Sequence, residues 1–330
     1  MQHPFRSSRR ALLAAGLGLP VAWSTTAFAQ AFPSKPVRLI VPYAAGGAAD
    51  TVARILAPRL TESLGQPLII ENRTGANGAI ACSYVASAPP DGYTLVINLG
   101  PSHHTLQLFT KAIKYDPVKD FTAISMVATA PQVMVVPAAS PIKSVRDLVD
   151  TAKASPKGLS YATSGVGTSQ HLSGLLLGNV EKVRLTHVAY RGGAPALTDV
   201  VGGQIDAGIL VLSNALPYIE TGKLRALGVV ENRRSKTAPN IPTVAESGIA
   251  GFSIPETWVG ILGPAGMPAD VVRRLNGSIT QALQNPEVRG QLEKAGYEIV
   301  GDTPQQFSAQ LSQSVRLYED IVKDAGVVAE

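Results

Sequence analysis

Cysteine is almost missing from this chain: Cys82 stands alone among 330 residues. An internal disulfide is therefore impossible, and metal sites built from cysteine clusters are excluded. A lone cysteine of this kind is expected to be buried as a small hydrophobe. Charge is also sparse, at 16% of residues, and no long Lys/Arg cluster occurs. The formal charge of +5 overstates the case, because Arg6, Arg9 and Arg10 lie in an N-terminal leader that has no acidic residue. The densest basic spot, Arg233-Arg234 with Lys236, reads as a solvated loop, so a nucleic-acid partner is not expected. No apolar run reaches the length of a membrane span. Short repeats and low-complexity tracts are absent.

Familiar catalytic and cofactor motifs are missing too. Gly165-Val166-Gly167 lacks the last glycine of a dinucleotide fingerprint, because Gln170 stands in its place. No Gly-Lys-Ser/Thr follows it, and no G-x-S-x-G elbow surrounds Ser164. Past the leader only His103, His104, His171 and His187 remain. His103 and His104 are adjacent, and on a helix they would point about 100° apart, a poor arrangement for sharing a metal. His187 reads as structural. His171 would either contact a ligand or hydrogen-bond its own loop. A hydrolase can be drawn from Ser164, His171 and Asp206, but a chain this long allows many such drawings. The expectation is no enzyme, no cofactor and no metal.

What the chain does contain begins with the leader. Ser8-Arg9-Arg10 precedes an apolar run from Ala11 to Val21, and Ala27-Phe28-Ala29 is a small-residue cleavage site. Residues 1–29 thus read as an export signal cleaved after Ala29, which places the mature chain in the periplasm. The paired arginines fit a twin-arginine signal, and an ordinary Sec leader fits as well.

With 45% apolar residues, the remainder can bury a full core. Its organising stretch is residues 37–64. Val37, Leu39, Ile40 and Val41 form a buried-strand run. Pro42-Tyr43-Ala44-Ala45-Gly46-Gly47 is a loop of small residues, and apolar residues then recur at helical spacing through Leu64. A strand that delivers such a loop onto a helix N-terminus suits an anion, because unpaired N–H groups and the helix dipole face it. An ordinary turn between strand and helix reads the same way. The device recurs at 159–177, where the loop is Ser164-Gly165-Val166-Gly167-Thr168, and at 191–195; residues 98–102 are a further candidate. Strands and helices alternate through the first hundred mature residues, which predicts a parallel sheet with crossover helices. Residues 121–136 read as two strands broken at Ala130-Pro131, residues 204–211 as one strand, and two longer helices end the chain. Loops of this type collect outside the carboxyl ends of parallel strands, where ligands bind.

Several segments, in this order, carry a resemblance. They are Pro42-Tyr43-x-x-Gly46-Gly47-x-x-Asp50, Glu71-Asn72-Arg73-x-Gly75-Ala76-x-Gly78 and Pro90-Asp91-Gly92-Tyr93-Thr94-Leu95. Tyr161-x-x-Ser164-Gly165-x-Gly167-x-x-x-His171-Leu172, His187-Val188-x-Tyr190-x-Gly192, Gly203-x-Ile205-Asp206 and Trp258-x-Gly260 with Pro264-x-Gly266-x-Pro268 follow. Together they make the mature chain resemble the Bug (TctC-like) solute receptors of tripartite tricarboxylate transporters from end to end. Thr74 and Cys82 depart from the family's Pro and Gly, at positions expected to lie away from the pocket.

The resemblance implies an α/β, two-lobed periplasmic binding protein of type II-like, Venus-flytrap form. Lobe 1 would take residues 30–131 and 256–330, and lobe 2 residues 132–255. It implies a small carboxylate (mono-, di- or tricarboxylate, aromatic acid or amino acid) held in the cleft and delivered to the membrane permease subunits, by a monomeric receptor. Carried over by position, the ligand-binding residues are Tyr43, Ala45, Gly46, Ser102, Ser164, Gly165, Thr168, His171, Tyr190 and Asp206. His103 and Arg191 are further candidates for the far end of the pocket. Asp50 would face away, its charge suiting the helix dipole. Asp206 would accept from a ligand or fix a loop. Presenting ligand to a signalling kinase is the alternative to transport, with an exported serine hydrolase behind it.

Overall fold

The computed structural model describes residues 32–324, so the predicted export signal lies outside the described residues. Two sheets organise the chain. Strands β1 (Val37–Val41), β2 (Leu68–Asn72), β3 (Thr94–Leu99), β4 (Phe121–Thr129), β10 (Trp258–Pro264) and β11 (Glu298–Ile299) form the first, in the order β11-β4-β10-β3-β1-β2. Strands β5 (Gln132–Pro137), β6 (Leu159–Thr163), β7 (Leu185–Ala189), β8 (Ala207–Val211) and β9 (Leu224–Val229) form the second, in the order β7-β6-β8-β5-β9.

The two sheets share one plan. In each, three parallel strands (β2-β1-β3 and β7-β6-β8) are followed by an antiparallel strand that has just crossed from the other sheet. That strand is β10 in the first sheet and β5 in the second. The parallel pairing expected from strand–helix alternation holds for β1, β2 and β3, and the antiparallel strand added in each sheet makes both sheets mixed. The break at Ala130-Pro131 is more than a kink, because β4 and β5 belong to different sheets.

The helices form for reasons visible in their residues. Helix α1 (Ala48–Leu64) buries Ala49, Val52, Ala53, Leu56, Leu60 and Leu64, the apolar stripe of the sequence, and Gly65 caps it in the left-handed conformation. Helix α2 is Ala79–Ala86 and α3 is Gly100–Thr105. Helix α4 (Val145–Ala154) is capped by the Ser144 side chain, which accepts from Asp147 N. Helix α5 (Ser169–Glu181) is capped by Thr168, and α6 covers Gly193–Val201. Helices α8 (Ala269–Gln284) and α10 (Pro304–Asp324) are the two expected near the end. Thr303 and Gln306 form the reciprocal cap of α10.

Sequence reading missed α7 (Leu212–Glu220), α9 (Pro286–Lys294) and the two-residue β11. Helix α7 starts directly after β8 with no turn residue between them and carries Pro217. For α9 the signal was present: Asn285 caps it and Pro286 opens it. The predicted strand at 204–211 is shorter, since residues 204–206 lie in the turn before β8.

Candidate functional site

Both sheets aim the carboxyl ends of their parallel strands at one cleft of about 870 Å³. The first sheet contributes Pro42, Tyr43 and Ala44 after β1 and Thr74, Gly75, Ala76 and Asn77 after β2. The segment following α3 adds Leu106, Phe109, Thr110, Ala112 and Ile113. The second sheet contributes Ser164, Gly165 and Val166 after β6 and Ala189, Tyr190, Arg191 and Gly192 after β7. The sides touch at one edge, where Asn77 Nδ2 donates to the Val166 carbonyl at 2.6 Å.

Of the side chains predicted to bind ligand, Tyr43, Ser164, Gly165 and Tyr190 line this cleft. Tyr43 donates its hydroxyl to Asn98 Oδ1 at 3.0 Å, and burial holds its phenol above the usual range, so it stays neutral. Ser164 donates both its N–H (2.8 Å) and its Oγ–H (2.6 Å) to Gln170 Oε1. Tyr190 is turned toward Asp199, its hydroxyl donating to Oδ2 at 2.5 Å.

Three predicted residues stand behind the lining. Ser102 is 5% exposed and hydrogen-bonds the Tyr43 side chain. Thr168 is the N-cap of α5; its Oγ1 accepts from His171 N and donates to Gly165 O. His171 takes the second of its two expected roles: Nδ1 accepts from Gly167 N at 3.2 Å. Its ring stacks on His187 at 3.9 Å and packs against Phe109 at 5.1 Å. Burial, with His187 adding to it, lowers the His171 pKa to about 3, so the ring is neutral.

Three others do not reach the cleft. Ala45 and Gly46 face a separate shallow depression beside Asp50, Arg54 and Gln291. Asp206 is exposed at the opposite end of the second sheet, because it precedes β8 rather than following it. There its Oδ2 accepts from Ser160 N and Oγ at 2.8 and 2.7 Å. The drawn hydrolase is accordingly not assembled: Ser164 bonds Gln170, His171 bonds Gly167, and Asp206 bonds Ser160. His103 is also no part of the lining. It is fully buried, with Nε2 3.0 Å from Pro117 O and its Nδ1 facing Asn98 Nδ2, and burial lowers its pKa to about 4.

The glycine loops differ from their sequence-level description. The Gly46 N–H is taken by Asp50 Oδ2 at 2.8 Å, and the Gly165 N–H by Thr163 Oγ1 at 3.2 Å. Asp50 does not simply face away. It is 1% exposed and also accepts from Arg54 and Asn72. Burial works against its charge, but those donors hold its pKa below the usual value. Thr74, expected to lie away from the pocket, is part of its wall. Cys82 lies buried below Tyr43, where its sulfur accepts from Asn98 Nδ2 at 3.1 Å.

Reasoning from loops missed the apolar wall. Leu106, Phe109, Ala112 and Ile113 follow α3 in a segment with no motif and only a trace of helical periodicity. Arg191 is the one cationic side chain in the lining, and among the described residues it has neither a hydrogen bond nor an ion pair.

Two mixed α/β sheets that exchange strands and face one cleft define a two-lobed solute-binding protein. The particular family follows from comparison. Residues 52–327 match the family described as "Tripartite tricarboxylate transporter family receptor" (TctC). The chain is 36% identical over 317 residues to a Pseudomonas sp. protein from a tcbD-tcbE intergenic region, covering 95% of this chain and 94% of that one. It is similar to an R. palustris protein solved with adipate, at 34% identity and TM-score 0.85, covering 91% of this chain and 100% of that one. MatC from Rhodopseudomonas palustris with bound malate is similar at 32% identity and TM-score 0.82, covering 88% and 100%. The chain belongs to the TctC family of periplasmic solute receptors, which bind solutes and are not enzymes. Among the described residues, no helix is long and apolar enough to cross a membrane.

Proposed function

We propose that this receptor binds a carboxylic acid with a sizeable apolar body and passes it to the permease of a tripartite transporter. One observation carries the reading: a single unpaired cation, Arg191, shares the cleft with the apolar wall of Leu106, Phe109, Ala112 and Ile113. Arg191 is exposed, so a carboxylate beside it gains a solvent-screened pair worth about 0.2–1 kcal/mol. Micromolar affinity needs about 8 kcal/mol, so the rest must come from other contacts. Burying one ring or alkyl chain against such a wall adds about 1.5–3 kcal/mol. Similar proteins are described with adipate and with malate. Malate has little apolar surface to place against Phe109, so its chemistry uses this wall poorly.

The carboxylate also lies within the reach of Ser164 and Tyr43, whose hydroxyls can turn toward it. The lobes divide at the two crossings, near Pro131 and near Pro255, and the leader is cleaved after Ala29. The test is calorimetry on the mature chain with 3-phenylpropanoate, hexanoate, adipate and malate. Saturable 1:1 binding without turnover is expected, tightest for the first two. Arg191→Gln should weaken it by up to about fivefold. No heat from any of the four would sink the reading. A strain lacking the gene should lose uptake of the bound acid.

A further inference from the structure

Gln170, which disqualifies the dinucleotide fingerprint in the sequence, occupies a particular place in the structure. It is 3% exposed, and its Oε1 takes both donors of Ser164. Its Nε2 donates to Gln132 Oε1 at 2.8 Å. Gln132, 1% exposed, is the first residue of β5 and so stands just past the crossing at Pro131. Its Nε2 donates back across that crossing to Ala130 O at 2.6 Å. Its backbone N–H donates to both oxygens of Glu231, at 3.0 and 2.9 Å. Glu231, 3% exposed, follows β9, and its carboxyl is also bonded by the Thr257 backbone on the return crossing. Ala130 N donates to Thr257 O at 2.7 Å, which ties the two crossings together. A line of hydrogen bonds, buried from Gln170 inward, thus runs from the cleft through Ser164, Gln170 and Gln132 to Glu231.

We propose that Gln170 and Gln132 are positioning residues that couple the grip of Ser164 on the ligand to the crossing segments between the lobes. The inference rests on the carboxylate reading of the cleft. Ser164 Oγ–H is parked on Gln170 Oε1, and a carboxylate has no donor of its own. When a carboxylate arrives, the Ser164 hydroxyl turns to it, and Gln170 Oε1 keeps the Ser164 N–H. The loop stays in place because Gln170 is itself held by Gln132. Removing Gln132 frees the Gln170 amide to rotate, and Ser164 loses its defined aim. Buried polar groups linked in series strengthen or fail together, so the effect should approach the loss of the Ser164 hydrogen bond itself. Neither glutamine lines the cleft.

The experiment titrates wild type, Gln132→Met, Ser164→Ala and the double variant with 3-phenylpropanoate, hexanoate, adipate and malate, and records the Tm of each. Gln132→Met is expected to weaken binding about tenfold, although it lies outside the cleft. The double variant is expected to bind about as Ser164→Ala does, since the two changes break the same line. If Gln132→Met does not fold, Gln170→Met replaces it, with the same expectation. An unchanged Kd with a lowered Tm would mean a structural role only and would overturn the proposal, as would strict additivity in the double variant. Wild-type protein that binds none of the four acids would overturn the carboxylate reading, and the coupling with it. Wild-type binding that survives Gln132→Met would overturn the coupling alone.

Discussion

The loops at 42–47 and 164–168 occupy the same position in their sheets, each leaving the first parallel strand for a helix, yet they are built to opposite effect. In the first, the glycine end is bonded outward: Gly46 N–H goes to Asp50, and Ala45 and Gly46 face a depression away from the cleft. Only Pro42, Tyr43 and Ala44 reach the site. In the second, the glycines are pinned from behind by Thr163, Thr168 and His171, and the loop's front edge is presented to the cleft. A run of small residues after a strand therefore specifies a turn. Which backbone donors the surrounding side chains have already taken decides where the turn faces.

Acid should separate the two loops most strongly. His171 and His187 behind the second loop are neutral because burial lowers their pKa values to about 3 and about 4. A depressed histidine pKa gives stability that is present above about 6.5 and lost as pH falls through the folded value. The first loop depends on Asp50, whose pKa is lowered, so its support persists below the ordinary carboxylate range. Amide protection at 164–171, taken relative to the intrinsic exchange rate at each pH, should fall between pH 6 and 4, estimated from roughly these pKa values, before protection at 44–50 does. Simultaneous loss would break the distinction.

Substituting glycine in the second loop comes next. Gly165 has φ +148°, and an added Cβ would lie 3.1 Å from Asn77 Oδ1 across the cleft. Gly165→Val should weaken carboxylate binding about tenfold or more, as strain of about 1–3 kcal/mol implies. Asp50→Ala removes the acceptor of Gly46, Arg54 and Asn72 and should lower stability by about 1–3 kcal/mol. Its effect on affinity should be far smaller than that of Gly165→Val. Thermal melts beside calorimetry separate the two quantities. The smallest effect is expected at Gly46, where φ is +79° and nothing lies within 4 Å of an added Cβ. Gly46→Ala should lower stability by about 1–2 kcal/mol through left-handed strain and leave binding unchanged.

Alkaline pH probes the crossing segments instead. Burial, with Glu256 adding to it, raises the Glu231 pKa to about 8. Tyr318, whose own pKa is raised by burial, also faces it. A raised carboxyl pKa gives stability that is complete below the ordinary value and lost as pH rises through 8. The Tm should fall between pH 6.5 and about 8, and Glu231→Gln should flatten that limb.

Much of the fold was legible in the sequence because its signals were local. The apolar run at β1, the spacing along α1, the Ser144 and Thr303 caps and the break at Ala130-Pro131 all gave the elements that formed. Strand direction was not legible, since nothing in the composition of β10 marks it as returning from the other sheet. The site was read in part. Tyr43, Ser164, Gly165 and Tyr190 were named for loops that do open on the cleft. Asp206 stands away from the cleft because it comes before its strand, and loops there sit at the far end. Phe109 and Ile113 went unnoticed because an apolar residue after a short helix reads as core. Gln170 was visible only as a missing glycine, and its bond to Gln132 joins residues 38 positions apart.

The central claim is that the cleft recognises a carboxylate through Arg191 and an apolar body through the wall around Phe109. It is tested most directly by titrating the mature wild-type chain with 3-phenylpropanoate and with malate under identical conditions. The account predicts at least about tenfold tighter binding of 3-phenylpropanoate, from roughly 1.5–3 kcal/mol of apolar burial. Equal affinities, or a preference for malate, would contradict it.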